Sequence, residues 1–243
     1  MKKILVVDNT FDLPHGSPEI CAQAEAAAKK LGGSATVEFC RAPEGAIPLD
    51  SSAWDAVILS GSKTRIYENA PWIEQEIALI KKLYREKIPT LGICYGEQLI
   101  IRALAGSKWE EFTGASKISE YGWGKITLTA GAKKSAVFSS LPQEFYSYCM
   151  HSDEVYKLPT NFSLVAKSED CAVQAYDLLD APMWAVQFHP ERTLEAVNKS
   201  LDAKKIREPG VRILGRDISD KVFSEKIAAD IFHNFLAQVW KSE

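Results

Sequence analysis

Ile88-Pro89-Thr90-Leu91-Gly92-Ile93-Cys94-Tyr95-Gly96-Glu97-Gln98-Leu99-Ile100-Ile101 changes character halfway. Ile88 to Ile93 is a short apolar run that reads as a buried strand. From Glu97 on, Leu99, Ile100 and Leu104 repeat at helical spacing. Cys94 stands at the junction, flanked by Gly92 and Gly96. A sharp strand-to-helix turn pushes its central side chain out over the sheet, and flanking glycines relieve crowding and tolerate unusual φ/ψ. A sulfur there also lies at a helix N-terminus, whose free N–H groups and dipole favour negative charge. Cys94 is therefore the candidate nucleophile.

Outward from this turn the chain alternates strands and helices. Lys3 to Val7 is a continuous apolar strand ending at Asp8-Asn9-Thr10, and a loop with Pro14, Gly16 and Pro18 follows. Glu19 to Leu31 is alanine-rich and helical, with Gly32-Gly33 as its stop signal. Ala35 to Phe39 and Asp55 to Ser60 read as further strands, and Pro71 to Arg85 as an amphipathic helix. Near-continuous apolar strands in this rhythm predict a parallel sheet covered on both faces. After Gly106, Gly124 to Thr129, Leu164 to Ser168 and Val173 to Tyr176 alternate, predicting smaller antiparallel strands. Met183 to Phe188 returns to a core-type strand. Phe223 to Trp240 predicts a terminal amphipathic helix with Ile227, Ile231, Phe235 and Val239 on one face.

The whole reads as one α/β domain over residues 1–243. Apolar residues make up 46% and charged ones 25%, as in an ordinary globular protein. A net charge of −3 gives no electrostatic case for nucleic acid or an anionic membrane. No apolar run approaches the roughly 18 to 20 residues that span a bilayer. Met1 to Asp8 reads as a first strand rather than a signal peptide. Cys21, Cys40, Cys94, Cys149 and Cys171 are odd in number, far apart and without a CxxC pair. That argues against a disulfide framework and a zinc site, and for a reducing cytoplasm.

A thiolate nucleophile needs a base, and the base needs a group to orient it. Four histidines are available: His15 in the first loop, His151, His189, and His233 on the terminal helix. His189 directly follows the Met183–Phe188 strand, so His189 and Cys94 would meet at the C-terminal rim of a parallel sheet. Pro190 keeps His189 extended, and residues two apart on an extended chain point the same way. Glu191 is thus placed to bond the far ring nitrogen. His151 either lines the pocket or caps a turn with Asp153; His233 reads as a helix-surface residue. For a developing oxyanion, the backbone N–H of Tyr95 and the Gly61-Ser62 turn are the candidate donors.

Leu59-Ser60-Gly61-Ser62, Gly92-Ile93-Cys94-Tyr95-Gly96-Glu97-Gln98 and Phe188-His189-Pro190-Glu191 together resemble the class I, triad-type glutamine amidotransferases. The resemblance is nearest to the amidotransferase domain of GMP synthase and its stand-alone relatives, and spans about Ala53 to Glu191. It implies a flavodoxin-like α/β fold, with a mostly parallel central sheet, helices on both faces and a small antiparallel sheet. It further implies hydrolysis of the glutamine side-chain amide through a γ-glutamyl thioester on Cys94. His189 would be the acid and base, Glu191 its orienter, and Tyr95 and Ser62 the oxyanion donors. Gln98 matches a position that contacts glutamine, and Gly61 lies in the oxyanion turn. His151-Ser152-Asp153-Glu154-Val155 is similar to the loop that flanks the substrate. No cofactor or metal is implied.

Two positions depart from the family pattern. Gly61-Ser62-Lys63 stands where Gly-Gly-Pro is usual, which removes a proline from the oxyanion turn. Glu97 stands where an apolar residue or histidine is more familiar, and a solvated side chain is expected there. Neither Gly-x-x-x-x-Gly-Lys-Ser/Thr nor Ser-Gly-Gly-x-Asp-Ser occurs, so the enzyme that accepts the ammonia would be a separate synthetase. The alternatives are a γ-glutamyl peptidase or hydrolase with the same acyl-thioester chemistry, and a non-catalytic binding module. Arg192 to Lys221, charged and mixed in sign, reads as a partly helical excursion that packs near the pocket mouth.

Overall fold

A computed structural model describes residues 1–11, 17–48, 50–215 and 218–241. His15, with Pro14 and Gly16 of the first loop, lies outside the described residues. Among those described, nine strands form one sheet in the order β2-β1-β3-β4-β9-β8-β7-β5-β6. Its parallel half consists of β1 (Lys2–Asp8), β2 (Ala35–Arg41), β3 (Ala56–Leu59), β4 (Thr90–Ile93) and β9 (Met183–Val186). The antiparallel strands do not stand apart as a second sheet. β8 (Ala175–Leu178) pairs with β9, and β7 (Phe162–Lys167), β5 (Thr113–Leu128) and β6 (Glu144–Val155) continue the same sheet.

Alternation along the parallel strands splits the core into two layers. Ile4, Val6, Ile58 and Leu91 pack with Ile20 of α1 (Ser17–Lys30) and Ile231 and Phe235 of α6 (Glu225–Trp240). Leu5, Val7, Val57 and Leu59 face the other way. They pack with Ile73, Ile77 and Ile80 of α2 (Pro71–Glu86) and Leu99 of α3 (Tyr95–Leu104). Gly32, at φ +70°, takes the left-handed position after α1 that the sequence reserved for glycine. Ile227, Ile231, Phe235 and Val239 of α6 are all buried.

The charged excursion holds α4 (Leu194–Arg207) and the short α5 (Ser219–Val222). Val197 and Leu201 anchor α4 by packing on Trp123 of β5 and Tyr148 of β6, which face each other across the strand pair. With Thr193 capping the N–H of Ala196, the helix begins three residues after Glu191. That places its N-terminal half beside the C-terminal ends of the parallel strands.

Candidate active site

The ends of β1, β3, β4 and β9 bring Asn9, Gly61, Cys94 and His189 to one rim. Cys94 occupies φ 52°, ψ −104°, and one other non-glycine residue described, Lys87, shares positive φ. Such a conformation costs about 1–3 kcal/mol and persists only where its surroundings fix it. Here the Cys94 N–H donates to the carbonyl of Val186 (2.7 Å), and its own carbonyl accepts from the Gln98 N–H (3.2 Å). The flanking glycines do not carry the strain themselves. They are required by close approach: a Cβ at Gly92 would stand 2.8 Å from the Gly96 carbonyl oxygen, and one at Gly96 2.6 Å from that of Leu59. Helix α3 therefore starts at Tyr95, two residues earlier than its periodicity predicts.

His189 is buried, with Nδ1 2.8 Å from Oε1 of Glu191, as the extended His-Pro-Glu segment predicts. A carboxylate only accepts, so Nδ1 donates and Nε2 faces the site. Nε2 has no other hydrogen-bond partner among the described residues. Burial by itself would lower the histidine's pKa. Glu191 and Cys94 beside it outweigh this and push the imidazole up to about 10. The His189 N–H donates to the Tyr148 carbonyl (2.7 Å), tying the segment to β6. The Cys94 thiol points toward the carbonyl of Met150, 3.9 Å away.

Gly61 packs against both groups: a Cβ there would stand 2.8 Å from Cε1 of His189 and 3.4 Å from Cβ of Cys94. The hydroxyl of Ser62 is committed, donating to the carbonyl of Asn9 (2.6 Å) and accepting from the Thr64 N–H (3.0 Å). What Ser62 offers an oxyanion is thus its backbone N–H. Tyr95, as the first residue of α3, has an N–H with no intrahelical acceptor.

A cavity of about 1140 Å³ opens in front of Cys94 and reaches Ser62, Gln98 and Ser152. Its far wall is α4, through Lys199, Ser200, Ala203 and Lys204. A second cavity of about 330 Å³ adjoins it and touches His189, Gly61 and Tyr148. The floor of the larger one is fixed by residues whose roles the motifs do not reveal. Arg65 holds both carboxylate oxygens of Asp153 (2.9 Å from Nε to each). The Asp153 carbonyl accepts from Nε2 of Gln98 (2.9 Å), which also donates to Gln187. Tyr121 pairs with the Ser152 hydroxyl at 2.7 Å.

His151 is buried and both ring nitrogens are taken, Nδ1 by the Asp153 carbonyl (3.1 Å) and Nε2 by Glu120 (2.8 Å). Its imidazole thus shapes the substrate-side loop from behind. Glu120, His151 and Cys171 bring metal-type donor atoms within 4.8 Å of one another. The carboxylate is already engaged, however, by His151, Ser168 (2.8 Å) and Gln174 (2.6 Å), which makes this a buried hydrogen-bond network. His233 is half-buried on α6 rather than a surface residue.

Glu97 corrects an expectation. Its side chain is fully buried, 0% exposed, with neither carboxyl oxygen bonded to a described residue. Because α3 begins at Tyr95, the third position turns under the antiparallel wing, where the Tyr176 hydroxyl donates to the Glu97 carbonyl (2.6 Å). Burial, reinforced by Cys94 and Glu154 nearby, holds the carboxyl well above the usual carboxylate range. It is therefore a neutral acid buried near Cys94.

Known proteins resemble this chain in sequence and in fold. The sequence pattern of the family described as glutamine amidotransferase class-I matches residues 24–208. A glutamine-hydrolysing GMP synthase subunit from Methanococcus aeolicus is 30% identical over 156 residues, 64% of this chain and 79% of that protein. The corresponding protein of Methanocaldococcus jannaschii is 36% identical over 126 residues, 52% of this chain and 63% of that one. Against the GMP synthase of Caldicellulosiruptor saccharolyticus, identity is 34% over 56% of this chain, but the match spans only 24% of the relative. In fold, the chain resembles a glutamine amidotransferase from Thermotoga maritima, with a TM-score of 0.77 at 19% identity over 98% of this chain and 97% of the other. With a nucleophile turn, a histidine–glutamate pair and a family pattern that covers most of its length, this chain belongs to the class-I glutamine amidotransferases.

Proposed function

We propose that the chain hydrolyses the side-chain amide of glutamine to glutamate and ammonia, and passes the ammonia to a separate synthetase. The observation that carries this reading is the convergence of Cys94 with a histidine whose Nδ1 is fixed by Glu191 at 2.8 Å, beside an open cavity. As the Cys94 sulfur attacks the amide carbon, its proton passes to Nε2 of His189, and the N–H groups of Tyr95 and Ser62 receive the charge that develops on oxygen. Nε2 of His189 gives its proton to the departing nitrogen, which leaves as ammonia, and a γ-glutamyl thioester remains. The same nitrogen then takes a proton from water, which opens the thioester to glutamate and returns the thiol. Gln98, Ser152 and the backbone around Asp153 hold the amino-acid end. Two of the relatives are named as single subunits of a GMP synthase, which supports a synthetase carried on another chain. Five free cysteines among the described residues support a reducing compartment such as the cytoplasm; no described helix is long and apolar enough to cross a membrane.

One observation favours a second reading. The cavity of about 1140 Å³ exceeds the range of about 300–1,000 Å³ that serves drug-sized ligands, and α4 extends it beyond the reach of glutamine. γ-Glutamyl peptides with larger leaving groups would fill it with the same chemistry. Glutamate release from glutamine and from γ-glutamyl dipeptides, with Cys94→Ala as control, separates the two. Faster turnover of bulky γ-glutamyl amides than of glutamine would sink the ammonia-donor reading. Full activity in Cys94→Ala would sink both.

A further inference from the structure

The oxyanion turn lacks the proline that would fix its φ, and nothing in Gly61-Ser62-Lys63 is stiff on its own. Yet donors for an oxyanion must be in place before charge develops, since errors of an ångström are costly. The stiffness comes from the neighbouring strand end. Asn9, fully buried after β1, touches the turn at every residue from Ser60 to Ser62, directly or through one hydroxyl. Its backbone N–H donates to Oγ of Ser60 (2.9 Å), and that hydroxyl donates onward to the carbonyl of Gly61 (3.0 Å). Its Nδ2 donates to the carbonyl of Ser60 (3.1 Å). Its carbonyl accepts from the hydroxyl of Ser62 (2.6 Å).

The second proton of Nδ2 goes to Oε1 of Glu76 on α2 (3.0 Å). Glu76 is fully buried, and Asn9 is its single hydrogen-bond partner among the described residues, a placement that costs free energy. Both groups facing Nδ2 are oxygens that can accept, so the amide has one satisfactory orientation. We propose that Asn9, buttressed by Glu76, is a positioning residue that pre-organises the Gly61-Ser62 turn in place of the missing proline. This rests on the reading of that turn as an oxyanion site. Burial pushes the Glu76 carboxyl up to about 8, so it fulfils the buttress role as a neutral group. Tyr95 from α3 and Cys40 from β2 are titratable groups close enough to feel it.

The test compares wild type with Asn9→Ala and Asn9→Ala/Glu76→Leu. The single variant strands a buried carboxyl; the double variant removes it, so instability and lost positioning separate. In the double variant, kcat for glutamate release should fall about ten- to hundredfold with KM within about threefold. Amide hydrogen exchange across residues 60–64 should quicken. Unchanged exchange overturns the proposal whatever the activity, and so does quickened exchange with an unchanged kcat. Should the double variant fail to fold, Asn9→Ser carries the same two readouts. A wild-type protein that hydrolyses no γ-glutamyl amide would refute the proposed function instead, while the exchange comparison still decides whether Asn9 holds the turn.

Discussion

Gly61 lies so close to His189 that a single methyl group on it would stand 2.8 Å from the imidazole Cε1. The two residues follow β3 and β9, more than a hundred positions apart, and their contact sets the depth of the site. Gly61→Ala must displace a buried ring whose Nδ1 is tied to Glu191, on a residue whose backbone N–H is tied to the Tyr148 carbonyl. We expect kcat to fall tenfold or more with a smaller change in KM. Steady-state kinetics on glutamine checks this, and wild-type kcat in Gly61→Ala would contradict the geometry.

Glu191→Gln removes the charge that does most to hold His189 up at about 10. A histidine raised in the folded state contributes stability that is fully present below its unfolded value near 6.5. That stability is lost as pH rises through about 10. The variant should therefore be less stable than wild type near pH 6, and the gap should close toward pH 10. Denaturation midpoints across that range test it, and NMR of the imidazole should show its titration moved downward in the variant.

Glu97 behaves in the opposite sense. Its carboxyl is neutral in the fold and ionises freely once unfolded, so the unfolded chain binds fewer protons above pH 4.5 and stability falls as pH rises. Glu97→Gln abolishes that slope. We expect a higher Tm for the variant at pH 7 and a vanishing difference near pH 4. A lower Tm for Glu97→Gln at pH 7 would mean that the carboxyl is engaged as an anion.

Leu201 anchors the wall of the large cavity by packing on Trp123 and Tyr148. Leu201→Ala should cost about 2–5 kcal/mol if the helix unpacks only locally. The effect on substrates should be uneven: KM for γ-glutamyl dipeptides should shift more than KM for glutamine. Equal shifts for both would show that α4 does not contact the leaving group.

The positions with local signatures were legible in the sequence. Near-continuous apolar runs marked β1, β3, β4 and β9, because strands buried on both faces need no alternation. Cys94, His189 and Glu191 could be read because two of them share an extended segment and the third sits between glycines. β6 could not. Its buried face holds Ser147, Cys149, His151 and Asp153, so the periodicity of a strand is masked by polar groups whose partners lie elsewhere. The first half of β5 is largely polar and owes its strand form to pairing with β6.

By itself, the sequence determined the parallel half of the sheet, the nucleophile turn and the histidine–glutamate pair, since each depends on residues within a few positions. Tertiary structure alone decided the rest. Whether Glu97 meets water depends on which element lies over the first turn of α3. What stiffens Gly61-Ser62 depends on an asparagine at the end of β1 and a glutamate on α2. Hydrogen bonds and desolvation act over ångströms in space, and only the folded chain says which residues those ångströms separate.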